Sequence, residues 1–373
     1  MRSRRLALLA VGTGLAVTIT ACGANSSPEP TTPSRPSGSA AGGTKVGVIL
    51  PETASSARWE GFDKPLLAAA LTAEGLDPDI QNALGDNQKF TTLADGMINA
   101  GVKVLIIASI DSSVGAAVAA KAEAQGIPVI DYDRLNLGGS SKYYVSFDNV
   151  KVGQLQGTAL ATALKDKKGA EVIQIEGAPT DNNATQFTEG QEKVLKPLYA
   201  SGDLKLVQSQ PIEKWEPVTG STVFEQIFTR NGQKIDGVVA ANDGLAGAVI
   251  TVLKKYNLNG KVPVTGQDAT PDGLQAVLRG DQYMTVFKPV KQEAEATAKL
   301  AALLAKGDTA GADKIATAVS KDTTTNRDVK SVLLDAQLIT KDKVKTVIDA
   351  QAVKASDVCI PELAAICTEL GIK

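Results

Sequence analysis

Short apolar runs, each too brief for a helix and most followed by a helical pattern, set the strongest limit on how this chain folds. They are "KVGVIL" (45–50), "KVLIIAS" (103–109), "IPVID" (127–131), "EVIQIE" (171–176), "KLVQSQ" (205–210), "DGVVAA" (236–241) and "VPVTG" (262–266). Between the first two, residues 88–100 place Phe90, Leu93, Met97 and Ile98 on one helical face. Strand, helix, strand repeated at this spacing predicts parallel sheets covered on both sides by helices. The series runs twice, over 44–132 and 170–287, joined through "YYVSFDNVKVGQLQG". The expected fold is therefore α/β, with two doubly wound parallel-sheet lobes.

Open parallel sheets bind ligands beyond the carboxyl ends of their strands, and polar residues gather at those ends. They are Asp131, Asp133 and Arg134; Asp181 to Asn183; Asn242 and Asp243; and Gln267 and Asp268. Two carboxylates and a guanidinium closing a core strand are costly to desolvate unless they face a cleft, a partner charge or a ligand. Asp133 and Arg134 read either as a salt bridge or as an acceptor and a donor for neighbouring hydroxyls. The Asp181 and Asn242 groups read as helix caps, as cleft residues, or as some of each. The two tryptophans, Trp59 after Arg58 and Trp215 in "IEKWEPV", both fall between elements. Amphipathic rings in such places suit stacking on the C–H face of a sugar.

Catalysis finds little support. With no histidine in 373 residues, the usual triads and the commonest neutral-pH base and metal ligand are gone. No phosphate-binding loop or zinc-spaced cysteine pair occurs, so neither a cofactor nor a metal is expected. A glycosidase built on two carboxylates remains the enzymatic alternative. A net charge of −2 leaves no footprint for nucleic acid. Arg2, Arg4 and Arg5, the apolar stretch Leu6 to Ile19 and "ITAC" read as an export signal over 1–21, with lipid attached to Cys22 at the outer face of the cell membrane. Residues 22–43 read as a solvated tether. Cys359 and Cys367 are a candidate disulfide. A continuous helix would hold them about 12 Å apart, so pairing needs a reversal near Pro361.

In order along the chain come "SSARW", "YDRL", "YYVSFDNVKVGQLQ", "DNNA", "VLKPLYASG", "VVAAND", "TGQDA" and "MTVFKP". Together these motifs resemble the periplasmic sugar-binding proteins of the ribose/galactose type, in the D-xylose-binding and multiple-sugar-binding branch that serves ABC importers. The resemblance covers about residues 45–350. It implies a type I periplasmic binding protein fold, two lobes joined by a three-segment hinge and closing on one monosaccharide. The expected lobes are 44–150 with 288–320, and 151–287 with 321–350, followed by a tail over 351–373. The motif positions of that branch fall here on Arg58, Trp59, Asp133, Arg134, Asp181, Asn183, Trp215, Asn242, Asp268 and Lys288. The resemblance implies that the two tryptophans sandwich a pyranose while the polar eight bind its ring oxygen and hydroxyls. It also implies a monomer that passes D-xylose to an ABC permease. Glucose, arabinose or ribose is the alternative cargo, since "PETASSA" before Arg58 is nearer the multiple-sugar relatives, and a membrane signalling receptor is the alternative partner. A sugar-responsive transcription regulator shares the two-lobe fold, but the export signal argues against it.

Overall fold

The computed structural model describes residues 43–53 and 56–373. The expected export signal, Cys22 and all but the last residue of the tether lie outside the described residues. The first lobe opens with β1 (Thr44–Leu50), then a π-type turn (Trp59–Asp63) running into α1 (Lys64–Ala73). It continues through β2 (Leu76–Asn82), α2 (Asn87–Asn99), β3 (Val104–Ile107), α3 (Ser112–Glu123), β4 (Val129–Tyr132) and β5 (Tyr143–Phe147). These strands lie parallel in the order β2-β1-β3-β4-β5. The winding reverses between β1 and β3, where such sheets open a crevice. Adjacent residues of β1 show the two-sided burial: Val48 packs in the cluster of Leu67 and Leu71, and Ile49 in that of Phe90 and Met97. β2 carries Pro78 and alternates exposed with covered positions, which a sheet tolerates at its edge.

The second lobe repeats the plan with α4 (Asn149–Leu164), β6 (Ala170–Glu176), α5 (Asn182–Ser201), β7 (Leu204–Pro211), α6 (Pro217–Arg230), β8 (Gly237–Ala240), α7 (Asp243–Lys255), α8 (Pro271–Arg279) and β9 (Thr285–Phe287). Its parallel sheet runs β7-β6-β8, with the same reversal. "VPVTG" does not form the expected strand; it touches the sheet through one bridge, Val264 to Val238, beside a proline that has no N–H to give.

The chain then returns to the first lobe. In α9 (Val290–Ala305), Ala294, Ala298 and Ala301 join the Leu67 and Leu71 cluster. After α10 (Thr309–Ile315), β10 (Ala318–Asp322) and β11 (Arg327–Leu334) extend the first sheet. β11 lies parallel to β5, Lys330–Leu334 beside Tyr143–Phe147, so the first lobe reaches Leu334 and not the expected residue 320. The strand closes an edge of β5 that would otherwise be open, burying Val329 and Ser331. A third crossing leads to β12 (Gln337–Ile339), antiparallel to β9, and on to α11 (Val344–Asp349), α12 (Ala355–Val358) and α13 (Ala364–Glu369). Residues 351–373 are no loose tail: Val353, Val358, Leu363, Cys367 and Ile372 are buried against Leu274, Val277 and Leu278 of α8. Cys359 and Cys367 are bonded, with Cα atoms 5.9 Å apart. The reversal is a 3-10 turn at Pro361–Leu363.

Candidate functional site

All ten motif residues line one narrow cavity of about 30 Å³, together with Ser56, Phe187 and Gln267. The first lobe contributes Ser56, Arg58 and Trp59 beyond β1, and Asp133 and Arg134 beyond β4. The second contributes Asp181 and Asn183 beyond β6, Trp215 beyond β7 and Asn242 beyond β8, while Lys288 sits on a crossing. This convergence follows from two parallel sheets whose carboxyl ends face each other across their switch points.

An ion network organises the first-lobe wall. The Arg58 guanidinium donates through Nε and Nη2 to Asp63 (2.8 and 2.6 Å), through Nη2 to Glu293 (3.0 Å), and through Nη1 to Asp133 (2.8 Å). A guanidinium has five N–H donors, so one on Nη1 is left for the cavity. Burial opposes the Arg58 charge, but Asp133, Asp63 and Glu293 more than restore it. Burial also pushes against ionised Asp133, yet Arg58, Lys288 and Arg134 hold its carboxyl at about 2. Glu293 goes the other way, raised by burial and by the neighbouring Asp133.

Asp133 stands in the left-handed region at φ 59°. Its carbonyl holds that strained conformation by accepting from Ser146 Oγ and Asn183 Nδ2 (both 2.8 Å) and from Tyr144 Oη (3.0 Å). Asp133 and Arg134 are not simply each other's partner. Lys288 Nζ lies 3.7 Å from Asp133 and 3.2 Å from Asp268, and Arg134 Nε lies 3.0 Å from Asp181. Ser56 Oγ donates to Asp268 at 3.1 Å, so several pairs join the two lobes directly.

The aromatic walls are fixed differently. Trp215 Nε1 donates to Asp181 (3.1 Å), its ring meets Phe187 edge-on at 6.3 Å, and the turn that aims it places Lys214 and Trp215 at φ 55° and 59°. Asp181 also caps α5 through Asn183 N (2.9 Å), and burial raises its pKa against the pull of Arg134. Over the Trp59 ring lie the guanidinium groups of Arg58 and Arg134, 4.6 and 5.1 Å from its centroid. Asn242 both caps α7, through Leu245 N at 2.9 Å, and lines the cavity. Asp243 sits behind, accepting from Gln282 (2.8 Å), Thr285 (2.8 Å) and Thr270 N (2.9 Å), and burial raises its carboxyl to about 7. Three lining residues were not among the ten. Phe187 lies one helical turn from Asn183, a spacing that shares a face, and Ser56 and Gln267 adjoin motif positions.

Residues 46–309 match the periplasmic binding protein domain. The chain belongs to that family. This periplasmic binding protein is 35% identical over 304 residues to the D-xylose-binding periplasmic protein of Escherichia coli K12, covering 81% of this chain and 88% of that one. It is 34% identical over 280 residues to a multiple sugar-binding periplasmic receptor of Rhizobium radiobacter, covering 71% and 78%. Among solved structures, an ABC transporter solute binding protein of Clostridium phytofermentans with bound β-D-glucose superposes with a TM-score of 0.76 at 28% identity, covering 84% of this chain and 99% of that one. A carbohydrate transporter solute binding protein of Chloroflexus aurantiacus, in complex with D-glucose, gives 0.74 at 29% identity, covering 84% and 97%. The chain is thus a periplasmic sugar-binding protein of the ABC-transporter type. No helix among the described residues is long and apolar enough to cross a membrane.

Proposed function

We propose that this periplasmic binding protein captures D-xylose between its lobes and hands it, unchanged, to an ABC permease. The supporting observation is one narrow cavity whose polar groups come from both lobes, with a tryptophan in each half of the wall. In this reading Trp215 and Trp59 bracket the pyranose, and Arg58, Asp133, Arg134, Asp181, Asn183, Asn242, Asp268 and Lys288 take its oxygens. The cargo is uncharged because Arg58, Arg134 and Lys288 already face carboxylates. The protein acts as a monomer, tethered to the membrane through lipid on Cys22. A second cargo, D-glucose, is favoured by its presence in the two structural relatives.

Calorimetric titration with D-xylose, D-glucose, L-arabinose and D-ribose tests the reading. One-to-one binding with the sugar recovered intact is expected, xylose tightest. Absence of binding to all four sinks the proposal, and release of a hydrolysed product from a chromogenic glycoside replaces it with an enzyme. Deleting the protein and following labelled-sugar uptake separates import from sensing.

A further inference from the structure

A buried polar atom with no partner marks where a ligand atom belongs, because such a group is costly to strand. Among the described residues, three cavity-lining side chains carry one: Trp59 Nε1, Asp268 Oδ1 and Gln267 Oε1. Asp268 Oδ1 has the Lys288 ammonium 3.2 Å away, so a charge already faces it. Gln267 has no such relief and is 2% exposed.

Its orientation is decided by its other end. Gln267 Nε2 lies 3.3 Å from the Ala241 carbonyl, an acceptor only, so the amide nitrogen must point there and Oε1 must point away. The Ala241 carbonyl is itself held. It accepts from Gln156 Nε2 at 3.0 Å, and Gln156 also reaches Gly266 O at 3.2 Å. Gln156 is fixed by Gln191 at 2.8 Å, and Gln191 by Gln174 at 3.3 Å, a chain of amides through the second lobe. The backbone of Gln267 accepts from Asp243 N at 2.9 Å, and the following Asp268 and Ala269 stand at φ 96° and 50°. The side chain is therefore a pre-set acceptor on the cavity wall.

We infer that Gln267 is a specificity-determining residue whose Oε1 accepts a hydrogen bond from one particular hydroxyl of the bound sugar. The inference rests on the monosaccharide reading above, with a neutral polyhydroxylated pyranose as the ligand class. A neutral acceptor adds selectivity that the carboxylates cannot, because Asp133, Asp181 and Asp268 are already engaged with cations.

The test titrates wild type and Gln267→Met by calorimetry with D-xylose and with each of its monodeoxy analogues. Methionine keeps the length and removes the acceptor. Gln267→Met should weaken D-xylose about ten- to a hundredfold, yet leave one deoxy analogue within about threefold of its wild-type affinity, because that analogue lacks the partner hydroxyl. An equal loss for every sugar, or no loss for any, overturns the inference and leaves the monosaccharide reading standing. Wild type that binds no sugar overturns both. Should Gln267→Met fail to fold, Gln267→Asn, which draws the amide back by one methylene, must show the same confinement of the loss to sugars bearing that hydroxyl.

Discussion

Gly177, just beyond β6, lies directly against Trp215, and replacing it with alanine tests the stacking assignment without touching a polar group. A Cβ there would fall 2.1 Å from Cζ2 and 2.2 Å from Cη2 of the indole, far inside the ~3.5–4.0 Å of carbon contact. Gly177 is not among the residues with positive φ, so alanine meets a packing conflict and no backbone one. The ring cannot yield while keeping both its 3.1 Å bond to Asp181 and its edge contact with Phe187, so it must leave its place on the cavity wall. Overpacking should cost about 1–3 kcal/mol of stability. Binding should lose about 1 kcal/mol of stacking and, for about 40 Å² of apolar face returned to water at about 25 cal/mol per Å², another 1 kcal/mol. The sum, about 2 kcal/mol, is roughly thirtyfold in Kd. Calorimetry with the preferred sugar, beside thermal melts of the empty protein, measures both quantities. Trp215→Ala should weaken binding similarly, and the double variant no further. A Gly177→Ala protein with the expected fall in melting temperature but sugar affinity within threefold of wild type refutes the stacking role.

Other perturbations separate site from scaffold. Replacing Cys359 and Cys367 with serine removes an eight-residue cross-link, which should cost about 2–3 kcal/mol in denaturant titrations; sugar affinity should hold, since neither cysteine lines the cavity, and a tenfold loss would contradict that separation. Burial raises Asp243 to about 7 and Asp131 to about 6, so the folded protein holds protons that the unfolded chain has released. Their contribution to stability is therefore full below about pH 4 and is lost as pH rises through 6 and 7. Asp243→Asn should flatten the fall in melting temperature over that window, and an unchanged slope would refute the assignment. Asp133, held at about 2, has the opposite sign: its contribution is full above about pH 4 and fades on acidification toward 2. A sugar acid shaped like the preferred sugar should bind at least a hundredfold more weakly by competition titration, because its carboxylate must break a buried pair; comparable affinity would show the pairs to be dispensable.

The central strands were legible because their burial is two-sided. β1, β3, β4, β6 and β8 read as largely apolar runs since both faces of each are covered; of the polar residues closing them, Asp133, Arg134 and Asn242 line the cavity, while Asp131 and Asp243 are buried with protein partners. β2 escaped because an edge strand alternates and tolerates Pro78. β10 and β11 escaped for a similar reason: most of their positions are exposed or half-covered, and their place in the first sheet depends on pairing with a strand nearly two hundred residues earlier. The tail misled because its apolar residues are spaced irregularly through three short turns and are buried in one cluster with α8, α11, Phe287 and Ile339. At the site, residue type and position relative to strand ends pointed to Asp133, Arg134, Asp181, Asn183, Asn242, Asp268 and the two tryptophans, the resemblance added Arg58 and Lys288, and Glu293 and Asp63 were invisible. Glu293 joins through α9 returning beside α1, a contact no local pattern encodes, while Asp63 meets Arg58 within the turn that leads into α1.

Under the proposed function, two opposed tendencies at the cleft would let a small neutral ligand control closure of the lobes. Contacts made directly between lobes favour closing: Arg134 to Asp181, Asn183 to the Asp133 carbonyl, Ser56 to Asp268, and, at the rim, Ser112 N to Thr180 O at 3.2 Å. Each is worth only about 1 kcal/mol net, because open lobes would satisfy the same groups with water. Against them stand Trp59 Nε1 and Gln267 Oε1, buried and without a partner among the described residues, at about 1–3 kcal/mol apiece. A ligand that supplies an acceptor to one and a donor to the other removes about 2–6 kcal/mol of penalty from the closed state alone. Moving an equilibrium from one part in a hundred to its inverse takes about 5.5 kcal/mol. In the proposed reading the unpaired groups, with stacking on Trp215, are thus large enough to make closure conditional on the sugar, and the direct links between lobes are small enough not to close the cleft without it.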